Sequence, residues 1–171
     1  MNPIEEYWSA FLATQPADSP YHRKTYVAEG FGDGGDLADE LGQLIASGIK
    51  TGTCSSLWEW QAEGNPIPEV GLVTIVLDGK GQPLCIIETT EVTVRLFNEV
   101  DADFARAEGE GDLSLDYWRS AHQIFFSRTL PKIGKQFGED MPLVCERFKL
   151  IYKSNSALPK NHRDDVSRAE G

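Results

Sequence analysis

Apolar residues in the first dozen positions recur at helical spacing. Ile4, Tyr7, Trp8, Phe11 and Leu12 fall on one face, and Asn2-Pro3-Ile4-Glu5 supplies the start. Asn2 caps, Pro3 occupies the first position, where its missing N–H costs nothing, and Glu5 completes a capping box. Leu37, Leu41, Leu44 and Ile45 repeat the pattern at i, i+4, i+7 and i+8, which predicts a second helix over about residues 36–46. Gly48 then stops it, because glycine enters the left-handed conformation without a Cβ clash.

Beyond Gly48 the period changes. Residues 51–57, rich in Thr, Ser and Cys, read as a strand, and 70–77 as a buried one. Asp78-Gly79-Lys80-Gly81 reads as a hairpin turn, 83–96 as one long strand or two with a bend, and 143–152 as a further strand. A short helix is expected at 101–107 and a longer one from Ser114, on which Trp118, Ala121, His122, Phe125 and Phe126 share a face until Pro131 interrupts it. Trp58-Glu59-Trp60 leads into a turn-rich stretch at 64–68. Residues 16–35, with two prolines and four glycines, read as an irregular surface loop, either a lid or a plain connection. After Tyr152 the apolar pattern stops, so 1–152 is expected to form one domain and 153–171 a disordered polar tail.

Composition narrows the function classes. With 171 residues, 40% of them hydrophobic, the chain fits one soluble domain. No run reaches the ~20 apolar residues of a membrane span, and the N-terminus lacks the blocks of a signal peptide, so the expected location is cytoplasmic. Cys54, Cys85 and Cys145 are odd in number and widely spaced, as reduced core cysteines are. A formal charge of −11 disfavours a broad polynucleotide-binding surface, since affinity for phosphate backbones comes largely from Lys and Arg. Residues 117–138 are the local exception: Arg119, Arg128, Lys132 and Lys135 occur there without an acidic residue, enough to guide a nucleotide or a short RNA, or simply to form a solvated helix face.

The candidate chemistry centres on Ser47-Gly48-Ile49-Lys50-Thr51-Gly52-Thr53, at a helix-to-strand join. It is no P-loop: Ile49 separates the glycine from the lysine, and the order is helix, turn, strand. Lys50 would act as a base if burial lowered its pKa, or as an electrostatic clamp if it stayed charged, with Thr53 offering a hydroxyl. In a regular strand positions 50 and 53 face opposite sides, so the two converge only if Lys50 belongs to the turn. His122 is either a core histidine or a cleft acid or base. Arg119 is either a surface residue or a ligand for phosphate or carboxylate, and Trp118 or Tyr117 either packs in the core or stacks on a base. Asp101, Asp103, Glu108, Glu110 and Asp112 offer the carboxylates a Mg²⁺ site would require, without tight loop spacing.

Gly48-x-Lys50-x-x-Thr53 after a helix, the Glu108-Gly109-Glu110-Gly111-Asp112 string and Trp118-Arg119-x-x-His122 together resemble the ASCH domain, a PUA-like family, in its longer bacterial members. The resemblance covers about residues 41–152. It implies an α+β fold, a PUA-like β-barrel of about five or six strands with flanking helices, and a cleft for RNA or nucleosides. Two activities are known in the family: hydrolysis of the acetyl amide of N4-acetylcytidine, and ribonuclease action that depends on a divalent metal. Carried over by motif, the catalytic residues are Lys50, Thr53 and Glu108, with Glu110 a rival for the last; Arg119, His122, Trp118 and Tyr117 are the expected substrate-binding residues. The leading expectation is an RNA- or nucleotide-directed hydrolase cutting single-stranded RNA, with no certain cofactor beyond a divalent metal such as Mg²⁺. A nucleoside amidohydrolase and a noncatalytic RNA-binding adaptor are the alternatives.

Overall fold

The computed structural model describes residues 1–32 and 34–154. Its order is α1 (Pro3–Ala13), β1 (Val27–Gly30), α2 (Gly35–Ala46), β2 (Gly52–Ser56), α3 (Leu57–Glu63), β3 (Val73–Leu77), β4 (Pro83–Leu96), α4 (Ala102–Glu108), α5 (Leu115–Thr129) and β5 (Pro142–Lys153). Short 3-10 turns join some of these. The capping box at Asn2 forms as expected, Glu5 N–H donating to Asn2 and the Glu5 carboxylate accepting from the Asn2 N–H.

The five strands make one curled, half-barrel sheet in the order β1-β3-β4-β5-β2, antiparallel throughout except for the parallel β1–β3 pair. β4 is long enough to serve two neighbours. Its first half lies between β3 and the end of β5, and its second half pairs with the start of β5, whose other edge carries β2. Register shifts after Ile86 and Thr89 bend this long ladder, which is how an extra residue on one strand acts.

Both faces of the β3–β4 region are covered. Val73, Ile75 and Ile86 pack with Phe11 of α1, whereas Val76, Cys85 and Ile87 pack with Ile45 of α2 and Phe148. Two-sided burial explains why β3 reads as a nearly continuous apolar run, interrupted only by the buried Thr74, rather than an alternation. A third cluster joins α4 and α5 to the start of β5 through Phe104, Trp118, Phe126, Leu143 and Cys145.

The structure corrects several expectations. Residues 16–35 are not one loop: they hold a 3-10 turn at Pro20–Arg23 and the edge strand β1, and Gly35 opens α2. Trp58-Glu59-Trp60 lies in helix α3 rather than leading directly to a turn. The expected tail falls outside the described residues from position 155 onward, and Lys153 is the last residue of β5.

Candidate functional site

α2 ends in a Schellman motif. Gly48, at φ +82°, donates to the Ile45 carbonyl, and Ile49 N–H returns to the Leu44 carbonyl. Lys50 N–H also bonds the Leu44 carbonyl, so the lysine belongs to the turn, two residues before β2 begins. Across from it, α4 ends at Gly109, at φ +74°. A Cβ there would lie 2.7 Å from the Ile49 carbonyl oxygen and 2.8 Å from the Lys50 Cα. Only glycine lets the two segments approach this closely, and Thr51 N–H to the Ala107 carbonyl, at 2.6 Å, ties them together.

That contact sinks the Lys50 side chain to 1% exposure. Its Nζ donates to Glu108 Oε1 at 3.0 Å, to the Glu108 carbonyl oxygen at 3.3 Å and to Glu110 Oε2 at 3.3 Å. An ammonium has three N–H bonds, so all are used. Glu108, equally buried, is the hub. Its Oε2 accepts from Trp118 Nε1 at 2.6 Å and lies 3.3 Å from His122 Nε2. The Cys54 thiol faces this carboxylate too, its Sγ lying within 4.8 Å of a Glu108 oxygen.

α5 supplies the remaining geometry. Ser114 caps it by accepting from Tyr117 N–H, and residues 118 and 122 then fall one turn apart on the same face. The Trp118 and His122 rings stack with centroids 4.2 Å apart, and His122 Nδ1 meets the Trp118 carbonyl oxygen at 2.8 Å. A carbonyl can only accept, so Nδ1 carries a proton and Nε2 is the nitrogen presented to Glu108.

The charges follow from these partners. Burial by itself lowers the pKa of Lys50, but the carboxylates of Glu108 and then Glu110 outweigh it and hold it above the ordinary lysine value. Burial would raise Glu108; the Lys50 charge, followed by His122 and Trp118, instead keeps it well below the usual carboxylate range. Burial would lower His122, yet its bond to Glu108 raises it above the ordinary imidazole value. Enclosure, then Glu108, pushes the Cys54 thiol well up, so it is no reactive thiolate.

These groups form the floor of a cavity of about 410 Å³. Thr53, Cys54, Glu110 and Arg128 line it with them, and Phe31, Leu37, Leu41, Tyr117 and Phe125 form apolar walls. Thr53 shares this cavity with Lys50 and Glu108, but no hydrogen bond joins its hydroxyl to either among the described residues. Sheet register explains the separation. Thr53 lies opposite Glu146 and Cys54 opposite Cys145, so it is Cys54 that shares the face of β5 turned toward the α4–α5 cluster. Sequence reasoning treated Cys54 as ordinary core, because only the β2–β5 pairing shows which way it points.

Two expected substrate-binding residues sit elsewhere. Trp118 is buried and holds Glu108 rather than facing the cavity, and Arg119 is exposed and does not line it; Arg128, about two and a half turns along the same helix, does. Tyr117 and His122 are both at the wall, Tyr117 with its ring against Gly111, where a Cβ would lie 2.4 Å from it. The five acidic residues do not converge. Asp101 caps α4, Asp103 pairs with Arg147, and Asp112 accepts from Ser114 N–H, leaving Glu108 and Glu110, both on Lys50. An all-oxygen Mg²⁺ site does not fit this arrangement. The basic stretch is dispersed as well, with Lys135 lying over the Trp58 ring.

A curled, PUA-like half-barrel with a lysine–glutamate pair buried beneath a helix-walled cavity defines the class. Residues 27–152 match the family model described as ASCH domain, and the chain belongs to that family. It is similar to the crystal structure of an ASCH domain from Lactobacillus crispatus JV V101, with 36% identity, a TM-score of 0.81, and coverage of 86% of this chain and 93% of that one. It is also similar to a protein from Enterococcus faecalis V583, with 39% identity, a TM-score of 0.78, and coverage of 90% and 91%. No curated protein matches the chain.

Proposed function

We propose that this ASCH protein is a hydrolase that opens an amide on a nucleoside-sized substrate, of the kind N4-acetylcytidine presents. The observation that carries the reading is the buried Lys50 ammonium at the floor of a cavity of about 410 Å³. That volume lies toward the small end of ligand pockets, where one base with its sugar fits, and the aromatic and aliphatic walls suit a planar ring.

The hydrogen bonds suggest how such a site works. Two of the three acceptors on Lys50 belong to Glu108, which is locked by its other donors. The third is Glu110, whose side chain keeps 26% exposure. An entering carbonyl oxygen takes the place of Glu110 on the ammonium, which then holds the oxyanion as charge develops. The displaced Glu110 carboxylate is left as the base for the attacking hydroxyl, that of Thr53 or of a water. Attack forms the C–O bond, the C–N bond breaks, and the proton taken by Glu110 passes to the leaving amine; where Thr53 attacks, a water then hydrolyses its acyl ester, releasing the carboxylic acid and restoring the hydroxyl. Lys50 acts as a clamp in this scheme, since its raised pKa keeps it charged.

Metal-assisted cleavage of single-stranded RNA finds less support, because only two of the five expected carboxylates reach the cavity and both are held by Lys50. The test is direct: incubate the protein with N4-acetylcytidine without added metal, follow cytidine by chromatography, and run single-stranded RNA in parallel. Glu110→Gln is expected to lower turnover about 10²- to 10⁴-fold while leaving the unfolding midpoint close to wild type. Absence of cytidine at high enzyme concentration overturns the amide reading. RNA cleavage in its place would restore the ribonuclease, and salt-dependent RNA binding with neither substrate consumed would make the protein a binding module.

A further inference from the structure

Three donor atoms of different kinds meet on the cavity floor. Cys54 Sγ, one carboxylate oxygen of Glu108 and one ring nitrogen of His122 all lie within 4.8 Å of one another. They come from β2, the end of α4 and the middle of α5, so the fold, not local sequence, brings them together. We propose that this trio is a binding site for a borderline divalent metal ion, Zn²⁺ above all, with its fourth position open to the cavity.

The donor set argues for the metal. A thiolate, an imidazole and a carboxylate suit Zn²⁺, whereas Mg²⁺ requires oxygen ligands in an octahedron. Tetrahedral Zn²⁺ with bonds of about 2.0–2.3 Å places its ligands about 3.5 Å apart, so the side chains close by ~1 Å to bind it. The supporting contacts are those that orient metal ligands. His122 Nδ1 is pinned by the Trp118 carbonyl, which leaves Nε2 as the ligating nitrogen, and Trp118 Nε1 fixes the Glu108 carboxylate. Lys50 takes Oε1 of Glu108, the oxygen away from His122, and Glu110 balances the added charge. Three protein ligands with an open position toward a cavity is the arrangement of a zinc that meets small ligands rather than one that only holds a fold together. Since ligands must be deprotonated, loading exchanges the ion for about two protons, those of the thiol and of His122 Nε2.

The site shares Glu108 and the cavity with the amide-hydrolase reading but does not depend on it, and its test reads the metal itself. Co²⁺ is added to the full chain as a spectroscopic stand-in for Zn²⁺. Wild type is expected to show the visible bands of tetrahedral Co²⁺ with a near-ultraviolet thiolate charge-transfer band, both bleached by one equivalent of Zn²⁺ and untouched by Mg²⁺. Cys54→Ser is expected to lose the charge-transfer band, and His122→Gln to weaken binding about a hundredfold or more. On wild type alone, native mass spectrometry is expected to show one Zn²⁺ retained per chain, so the test survives a variant that fails to fold. No tetrahedral spectrum, the same spectrum in both variants, or no Zn²⁺ retained by the wild type would each overturn the site.

Discussion

Glu108 and Glu146 are both drawn into this molecule, and they titrate in opposite directions. Glu108 sits under the cavity with Lys50, Trp118 and His122 all donating to it, and its pKa is driven down. Glu146, on β5 on the opposite face of the sheet from Cys145, is raised to about 7 by burial first and then by Glu29 on β1, with only the Thr89 hydroxyl pulling the other way. Burial is common to both carboxylates. The difference is the partner, a cation in one case and another carboxylate in the other, so partners decide whether a buried acid is an anchor or a liability.

The largest expected effect comes from removing the cation. Lys50→Ala leaves Glu108 buried and short of its main counter-charge, at a cost of about 3–5 kcal/mol. Urea unfolding at neutral pH measures it, and a loss below about 1 kcal/mol would mean that Glu108 does not depend on Lys50. Next comes Gly109→Ala, which adds a Cβ against the Ile49 carbonyl at a positive φ. Left-handed strain and overpacking together cost about 2–4 kcal/mol, and the affected contact is the one that lowers Lys50 onto Glu108. A variant as stable as wild type would show that the two segments need not touch.

Glu146→Gln is the smallest and works in the other direction. Glu146 titrates near 4.5 when unfolded and near 7 when folded, so between those values the native state holds the proton that the unfolded chain has released. Stability therefore falls as pH rises through that window and stays lower above it. The amide removes this penalty: Glu146→Gln is expected to gain about 1–2 kcal/mol at pH 8, discounted for partial exposure, and almost nothing at pH 5. Equal effects at both pH values would remove the contrast with Glu108.

Much of the fold was legible because its signals are local. The Asn2 capping box, the apolar stripes of α1 and α2, and the mostly apolar run of β3 all survive in the structure. Helix α3 was missed because it is only seven residues long and carries two tryptophans, Trp58 and Trp60, in its first turn, which favour strands as readily as helices. β1 was missed because its residues are mostly exposed, and only the parallel pairing with β3 makes it a strand. In the site, Lys50 and Glu108 were legible as motif residues, while Arg119 lies exposed outside the cavity and Trp118 holds Glu108 rather than lining it.

By itself the sequence determined that a helix stops at Gly48, that a lysine follows in the turn, and that an acidic, glycine-punctuated string and an aromatic helix lie further on. These are properties of backbone geometry and period, set within a few residues. Which carboxylate oxygen meets which donor, and that Cys54 rather than Thr53 shares the face of Glu108, was decided only by tertiary structure. The physical reason is that a buried charge is satisfied by partners 58, 60 or 10 residues away in the chain, brought within about 3 Å by strand register and by one glycine contact.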